Sequence, residues 1–251
     1  MEIHNRLVHE LLDIGEALLS SGAEVNRVED TLIRLGRAYG AQSVDIFVIT
    51  SDIVLTILFQ DGTELTQTRR ISNALGTDFQ KLEALNALSR DCCRSPLPPE
   101  ELHARVQAVV SRTMPAAQAY LSSMMGGGVF TLFFGGGWAD GLLSAAMSAL
   151  VCLLQRKFLP LFRNAAIFDF ITALLVGSLV CLTCRLSPVF SSDKILIGII
   201  MLLIPGAVIT NSVRDMLVGH TISGLLRLSE SLILSGALAL GFGTAIYLFG
   251  V

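Results

Sequence analysis

Asn211 and Asp215 lie four residues apart, just beyond the Pro205-Gly206 pair that interrupts the apolar run KILIGIIMLLIPGAVITNSVRD from Lys194 to Asp215. At that spacing both side chains fall on one face of a helix. A carboxylate next to hydrocarbon costs at least a few kcal/mol, so an acid here is expected to face a cavity or a partner. An unpaired Asp215 would carry a proton or meet an amino group, and Asn211 would hydrogen-bond to a polar solute. Pro205 has no N–H and clashes with the preceding turn, and Gly206 weakens the helix further, so a break is expected there. The competing reading is a tolerated kink in a helix ending near Asn211, with Asp215 already among the lipid headgroups.

Other polar residues in the apolar part permit similar chemistry. Asp140 follows the GGGW run, where a turn at the outer interface is expected, with Trp138 as a belt residue. Asp169, near the start of a later apolar run, suits a substrate or proton role or a position at the headgroups. Arg227 and Glu230, three apart, would pair on a helix. Soluble enzymatic signatures are missing: no GxxxxGK[ST] accompanies Gly126-Gly127-Gly128, and there is no GxSxG. His4, His9, His103 and His220 are scattered, so no metal site and no cofactor are expected. Cys152, Cys181 and Cys184 sit in apolar runs and Cys92-Cys93 are adjacent, so no disulfide is expected either.

The elements that must hold these residues divide the chain in two. With 52% hydrophobic and 16% charged residues and a mean hydropathy of +0.65, the sequence is too apolar for an ordinary soluble domain. Most acids precede Pro115, so residues 1–113 should form a water-soluble domain and 114–251 a membrane domain. A net charge of −3, without a basic face carrying interleaved aromatics, argues against nucleic acid. The first sixteen residues have acids within their apolar stripe and no continuous apolar core, which does not fit a signal peptide and leaves the soluble domain cytoplasmic.

Leu7, Leu11, Ile14 and Leu18 recur at helical spacing, predicting an amphipathic helix over 3–20. Ser21-Gly22-Ala23-Glu24 fits an S-x-x-E capping box for a second helix with Val25, Val28, Leu32 and Leu35 inward. Its Arg27, Glu29, Asp30, Arg34 and Arg37 then read as a solvated face. Three β-branched segments follow, QSVDIFVIT, DIVLTILFQ and TELTQTRRI, with a two-residue hairpin at Asp61-Gly62. Further helices are expected after Asp78 and after Pro98-Pro99. The domain is therefore α+β.

Beyond Pro115, apolar runs over 116–134, 139–154, 167–182, 195–213 and 231–251 predict a bundle of five transmembrane α-helices. Arg105, Arg112, Arg156, Lys157, Arg163, Arg214 and Arg227 would flank the cytoplasmic side, against Arg185 and Lys194 outside, which places Val251 outside. An odd number of spans is what half of an inverted-repeat transporter would show. Ala237, Gly241 and Ala245, four apart, and Gly137 and Gly141 beside Asp140 predict close helix contacts.

SGAEVNRVED, GGGWADG and IPGAVITNSVRDMLVGHTISGLLR, in that order, resemble the threonine/serine exporter family, specifically its half-length, YjjP-type members. The resemblance implies an inner-membrane exporter of small carboxylates, either succinate and related dicarboxylates or threonine and serine. It also implies a small YjjB-type membrane partner. Matching motif positions are Pro205, Gly206, Asn211, Asp215, Gly219, His220 and Arg227; a broken helix at Gly206 to Val208 would offer N–H groups to a carboxylate. Two alternatives for the soluble domain are a membrane-tethered enzyme, for which no nucleophile and base pair stands out, and a regulatory module using Glu24, Arg27 and Glu29 as an interaction face.

Overall fold

The computed structural model describes residues 2–71 and 76–249, so the expected external position of Val251 lies outside the described residues. The chain separates into two compact units, residues 1–113 with 207–229, and residues 114–206 with 230–251. The first unit thus joins residues 1–113 to a 23-residue stretch, 207–229, from the apolar part of the chain.

In the first unit, α1 (Glu2–Ser20) and α2 (Val25–Ala38) precede strands β1 (Ala41–Val48), β2 (Asp52–Phe59) and β3 (Glu64–Arg70). Helices α3 (Phe79–Arg94) and α4 (Pro99–Val110) complete its N-terminal portion. The strands form an antiparallel sheet in the order β1-β2-β3. Alternation along β2 buries Ile53, Leu55, Ile57 and Phe59 on one face, against the stripe of Leu7, Leu11, Ile14 and Leu18 from α1 and of Val28, Leu32 and Leu35 from α2. These are the residues whose spacing predicts the amphipathic faces. Asp78 caps α3 by accepting from the Lys81 N–H at 3.0 Å, and Pro99 opens α4 where a missing N–H costs nothing.

Two local expectations are corrected. The β2-β3 reversal runs through Gln60–Thr63, longer than the two-residue turn expected at Asp61-Gly62. The Asp61 carboxylate accepts from the Thr63 N–H at 2.9 Å, and Gly62 takes a φ of 82°. Nor is Ser21 the cap of α2, whose N-cap residue is Glu24 with no side-chain cap bond. Ser21 and Gly22 instead end α1: the Ala23 N–H reaches the Leu18 carbonyl at 3.0 Å and the Gly22 N–H the Leu19 carbonyl at 3.0 Å. With Gly22 at φ 93° this is a Schellman turn, which needs the left-handed conformation that glycine adopts without strain.

The remaining helices are α5 (Ala116–Phe133), α6 (Trp138–Lys157), α7 (Ala165–Leu186), α8 (Ser192–Leu203), α9 (Gly206–Val218) and α10 (Thr221–Phe249). By length and apolarity three of the described helices are candidate membrane spans: α6 with the short turn after it, α7 and α10. The broken pair α8 and α9 makes a fourth if counted as one span. The sequence predicts five, and α5 is the one that does not qualify; Gln118, Ser122, Ser123 and three glycines dilute its apolar run. The break stands where expected, with Pro205 between α8 and α9. By contrast α10 starts at Thr221, ten residues ahead of the apolar run that announces it, because TISGLLRLSE is itself helical.

Small residues set the packing of the second unit. A Cβ on Gly127 would lie 1.8 Å from the Ser148 hydroxyl of α6, and one on Gly198 of α8 would lie 2.0 Å from the Thr131 hydroxyl of α5. The glycine run thus brings α5, α6 and α8 into close contact. Gly241 and Ala245 of α10 meet α7 in the same way, since a Cβ on Gly241 would come 2.6 Å from the Phe170 carbonyl.

Candidate functional site

Asn211, Asp215 and Arg227, chosen from sequence, converge within the first unit on a single feature, the turn between α1 and α2. That turn leaves outward carbonyls at Gly22 and Ala23 and an uncapped N–H at the start of α2, groups that need partners when buried. The Asn211 amide donates to the Gly22 carbonyl at 3.2 Å. Arg227 donates to the Ala23 carbonyl at 2.8 Å, and the Val25 N–H donates to the Asp215 carboxylate at 3.2 Å. The other Asp215 oxygen accepts from Arg227 at 3.2 Å. Asp215 is 1% exposed and Arg227 2%, so this ion pair is fully withdrawn from solvent.

Asp215 is therefore paired, where the sequence reading has an unpaired acid. A negative charge at the first N–H of α2 complements the positive end of the helix dipole. The arrangement of guanidinium and helix terminus is a small anion receptor that Asp215 fills from within the chain.

The fold brings these residues together through a second glycine turn. The Gly219 N–H reaches the Met216 carbonyl at 3.2 Å and the His220 N–H the Asp215 carbonyl at 2.9 Å. With Gly219 at φ 109°, α9 ends as α1 does. The chain then turns into α10, whose Gly224 allows close approach: a Cβ there would stand 2.5 Å from the Ser212 carbonyl. Asp215 and Arg227, twelve residues apart in sequence, meet across this elbow.

The α2 residues expected as an interaction face are in part engaged by the same elbow. Glu24 pairs with Arg214, and Glu29 lies 3.6 Å from His220. Arg27 remains exposed. Burial pushes the Glu29 carboxyl above its ordinary value, and the neighbouring His220 and the Val48 backbone oppose that shift. Ser223 of α10 adds a bond to the Val48 carbonyl at 3.3 Å. Sequence reasoning missed Gly22, Ala23, Val25 and Ser223; the occurrence of SGAE and N, D and R motifs in one chain is the signal that links them. Beside the turn, a cleft of about 320 Å³ is lined by Gly22, Ala23, Glu24, Arg27, Asn211 and Arg214 among others.

Asp140 and Asp169 belong to the second unit. Asp140 is 3% exposed, accepting from the Gly137 N–H at 2.8 Å and the Ser191 N–H at 2.7 Å. It ties the start of α6 to the loop before α8. Trp138 beside it is 81% exposed. Asp169 is half-buried and makes no ion pair among the described residues. Pro205 and Gly206 shape the break, and the Gly206 N–H donates to the Ile204 carbonyl at 2.8 Å. Elsewhere Glu10, Asp13 and His103 approach one another within 4.8 Å. Glu10 contacts His103 at 3.0 Å and Asp13 contacts Arg69 at 2.6 Å, so these groups serve as ion-pair partners.

With α6, α7 and α10 as candidate spans, and the broken pair of α8 and α9 as a fourth if counted as one, the fold defines a membrane protein with three to four candidate spans. The chain belongs to the threonine/serine exporter family, whose model matches residues 9–249. It is 29% identical over 237 residues to the "Probable succinate transporter subunit YjjP" of Klebsiella aerogenes, covering 93% of this chain and 90% of that one. To the protein of the same description from Escherichia coli K12 it is 25% identical over 242 residues, covering 96% and 93%. With the "Threonine/serine exporter" of Corynebacterium glutamicum the identity is 24% over 246 residues, spanning 94% of this chain but only 50% of that relative's length. No solved structure matches.

Proposed function

We propose that this chain is a subunit of a bacterial inner-membrane exporter of small carboxylate metabolites. A succinate-like dicarboxylate is favoured over threonine or serine, because the relatives it covers nearly end to end are described as succinate transporter subunits. The word subunit in those descriptions supports a second membrane protein in the assembly, for which a small YjjB-type chain is our candidate. In this reading α5 crosses the membrane as a fifth span, residues 1–113 are cytoplasmic, and the chain ends outside, following the Lys/Arg bias. The membrane part then supplies one side of an alternating-access path.

The observation that carries the reading is the receptor formed by Arg227 and the start of α2, occupied by Asp215. A substrate carboxylate entering by the adjacent cleft would replace Asp215 on the guanidinium. That exchange would free the elbow from the α1-α2 turn, coupling substrate binding to movement of the helix after the Pro205 break. The N-terminal domain then acts as a gate, and the contacts of Glu24 and Glu29 with the elbow favour this regulatory role over an enzymatic one.

The test is efflux of labelled succinate, threonine and serine from cells expressing the chain with and without the YjjB-type protein. Succinate efflux is expected to rise only with both, and Asp215→Asn should abolish or uncouple it at matched expression. Failure of all three rates to rise overturns the reading.

A further inference from the structure

On the face of α2 that meets α3, next to the cleft beside the Asp215 receptor, the first unit carries a concentration of positive charge in a chain whose net charge is −3. A cleft of about 290 Å³ is lined there by Arg27, Arg34, Arg90 and Arg94 around a floor of Thr31, Asn86 and Ser89. Asp30, the one acid of the lining, is taken by Arg34 at 2.9 Å. Arg27, Arg90 and Arg94 have no carboxylate within ion-pair distance among the described residues.

Such an arrangement is unfavourable by itself. Arg90 and Arg94 stand four apart on α3, where like charges repel by roughly 0.2–0.5 kcal/mol. The last turn of a helix tolerates cations, which accounts for Arg94. It does not account for Arg27, on the first turn of α2, where the dipole disfavours a cation. The floor is polar and uncharged: the Ser89 hydroxyl donates to the Asn86 carbonyl at 3.0 Å, while the Asn86 amide and the Thr31 hydroxyl make no hydrogen bond among the described residues. Guanidinium forks over neutral donors match the paired, negatively charged oxygens of phosphate and carboxylate groups.

The geometry points to a binding site in the α2-α3 cleft for a soluble small dianion, one bearing a phosphate group or a pair of carboxylates. Its volume admits a compact molecule. One charge would rest on Arg27 and the other on Arg90 and Arg94, with Asn86 and Thr31 donating between them. Arg27, Thr31 and Asn86 also line the neighbouring cleft that ends at Asn211 and Arg214, so a ligand here would act on the region beside the elbow. The inference does not rest on the transport reading, since its test measures binding alone.

The purified full-length chain in zwitterionic-lipid nanodiscs is titrated with pyrophosphate and, separately, with succinate, at ionic strength held constant with sodium chloride, while thermal unfolding is followed. At least one of the two anions is expected to raise the melting temperature saturably. The Arg90→Gln/Arg94→Gln variant should weaken that response at least tenfold in midpoint concentration, whereas Arg105→Gln, an exposed arginine paired with Glu101 on α4, should leave it unchanged. Arg27→Lys, which keeps the charge but loses the fork, should weaken it in part. A shift that is absent, non-saturable, or equal in the arginine variants overturns the site. A shift seen only in discs of anionic lipid without added dianion also overturns it, making the occupant a headgroup.

Discussion

Asp140 and Asp215 are both nearly inaccessible aspartates on helices of the apolar half, yet their surroundings differ in kind. Asp140 is held by two backbone N–H groups, those of Gly137 and Ser191, and no cation touches it among the described residues. Asp215 shares its charge between one backbone N–H and the Arg227 guanidinium. Backbone donors built into a helix start and a loop have one geometry and one use, so Asp140 works as a staple. A guanidinium on a long side chain retains its charge when its partner leaves, which is what the proposed exchange of Asp215 for a substrate anion requires. The same residue type is therefore a backbone staple in one unit and, in the proposed cycle, a switch in the other.

The sharpest way to break this comparison is to remove the cation. Arg227→Ala leaves Asp215 buried and unpaired, and about 3–5 kcal/mol of stability should be lost. The double variant Asp215→Asn/Arg227→Ala should recover part of that loss, because no charge is then stranded, and the single Asp215→Asn variant completes the cycle. Chemical unfolding of the purified protein in detergent measures all three. If the double variant is as unstable as the sum of the singles, the pair is not coupled and the exchangeable-anion reading falls.

Asp140→Ala comes next. It strands two N–H groups, each worth roughly 1–3 kcal/mol when buried without a partner. Asp140→Asn keeps one acceptor oxygen and should cost less than the alanine variant. With only a staple at stake, it should also leave the efflux rate per folded molecule unchanged, whereas Asp215→Asn should change that rate.

Asn211→Ala deletes one neutral hydrogen bond to the Gly22 carbonyl, an effect of about 0.5–1.5 kcal/mol on unfolding. A loss above roughly 3 kcal/mol would show that Asn211 does more than close the turn.

The contrast also shows what a sequence makes visible. The amphipathic stripes of α1 and α2 and the Pro205 break are periodic or local, and both stand as read. The partners of Asp215 are neither. They come from a backbone N–H and from Arg227, at separations of 190 and 12 residues, and backbone groups carry no residue-type signal. Ser21-Gly22-Ala23-Glu24 fits two motifs at once, and the left-handed conformation of Gly22 decides for the end of α1 over the start of α2. The early start of α10 was hidden because its first turns are mixed in polarity, burying Ser223 and Arg227 while exposing Ile222 and Leu225.

The smallest effect concerns Glu29, which together with His220 forms the outer part of the same docking surface. Its side chain is 21% exposed, with His220 at 3.6 Å. Burial raises its carboxyl above a free glutamate's 4.5, the approach of Asp215 adds to that, and His220 and the Val48 backbone work against it. A raised folded-state value means that the folded protein binds the proton more tightly than the unfolded chain. The stability it contributes is fully present below about pH 4.5 and is lost as pH rises through the raised folded value. Above that point the ionised carboxylate is held where solvent would serve it better. Glu29→Gln stays neutral throughout, so unfolding free energies measured from pH 4 to 7 should fall less steeply with rising pH in the variant than in the parent. If the two profiles run parallel, burial does not shift the Glu29 carboxyl between the unfolded and folded states. If the variant's profile is the steeper, contact with His220 outweighs burial, and the outer edge of the docking surface is held by charge.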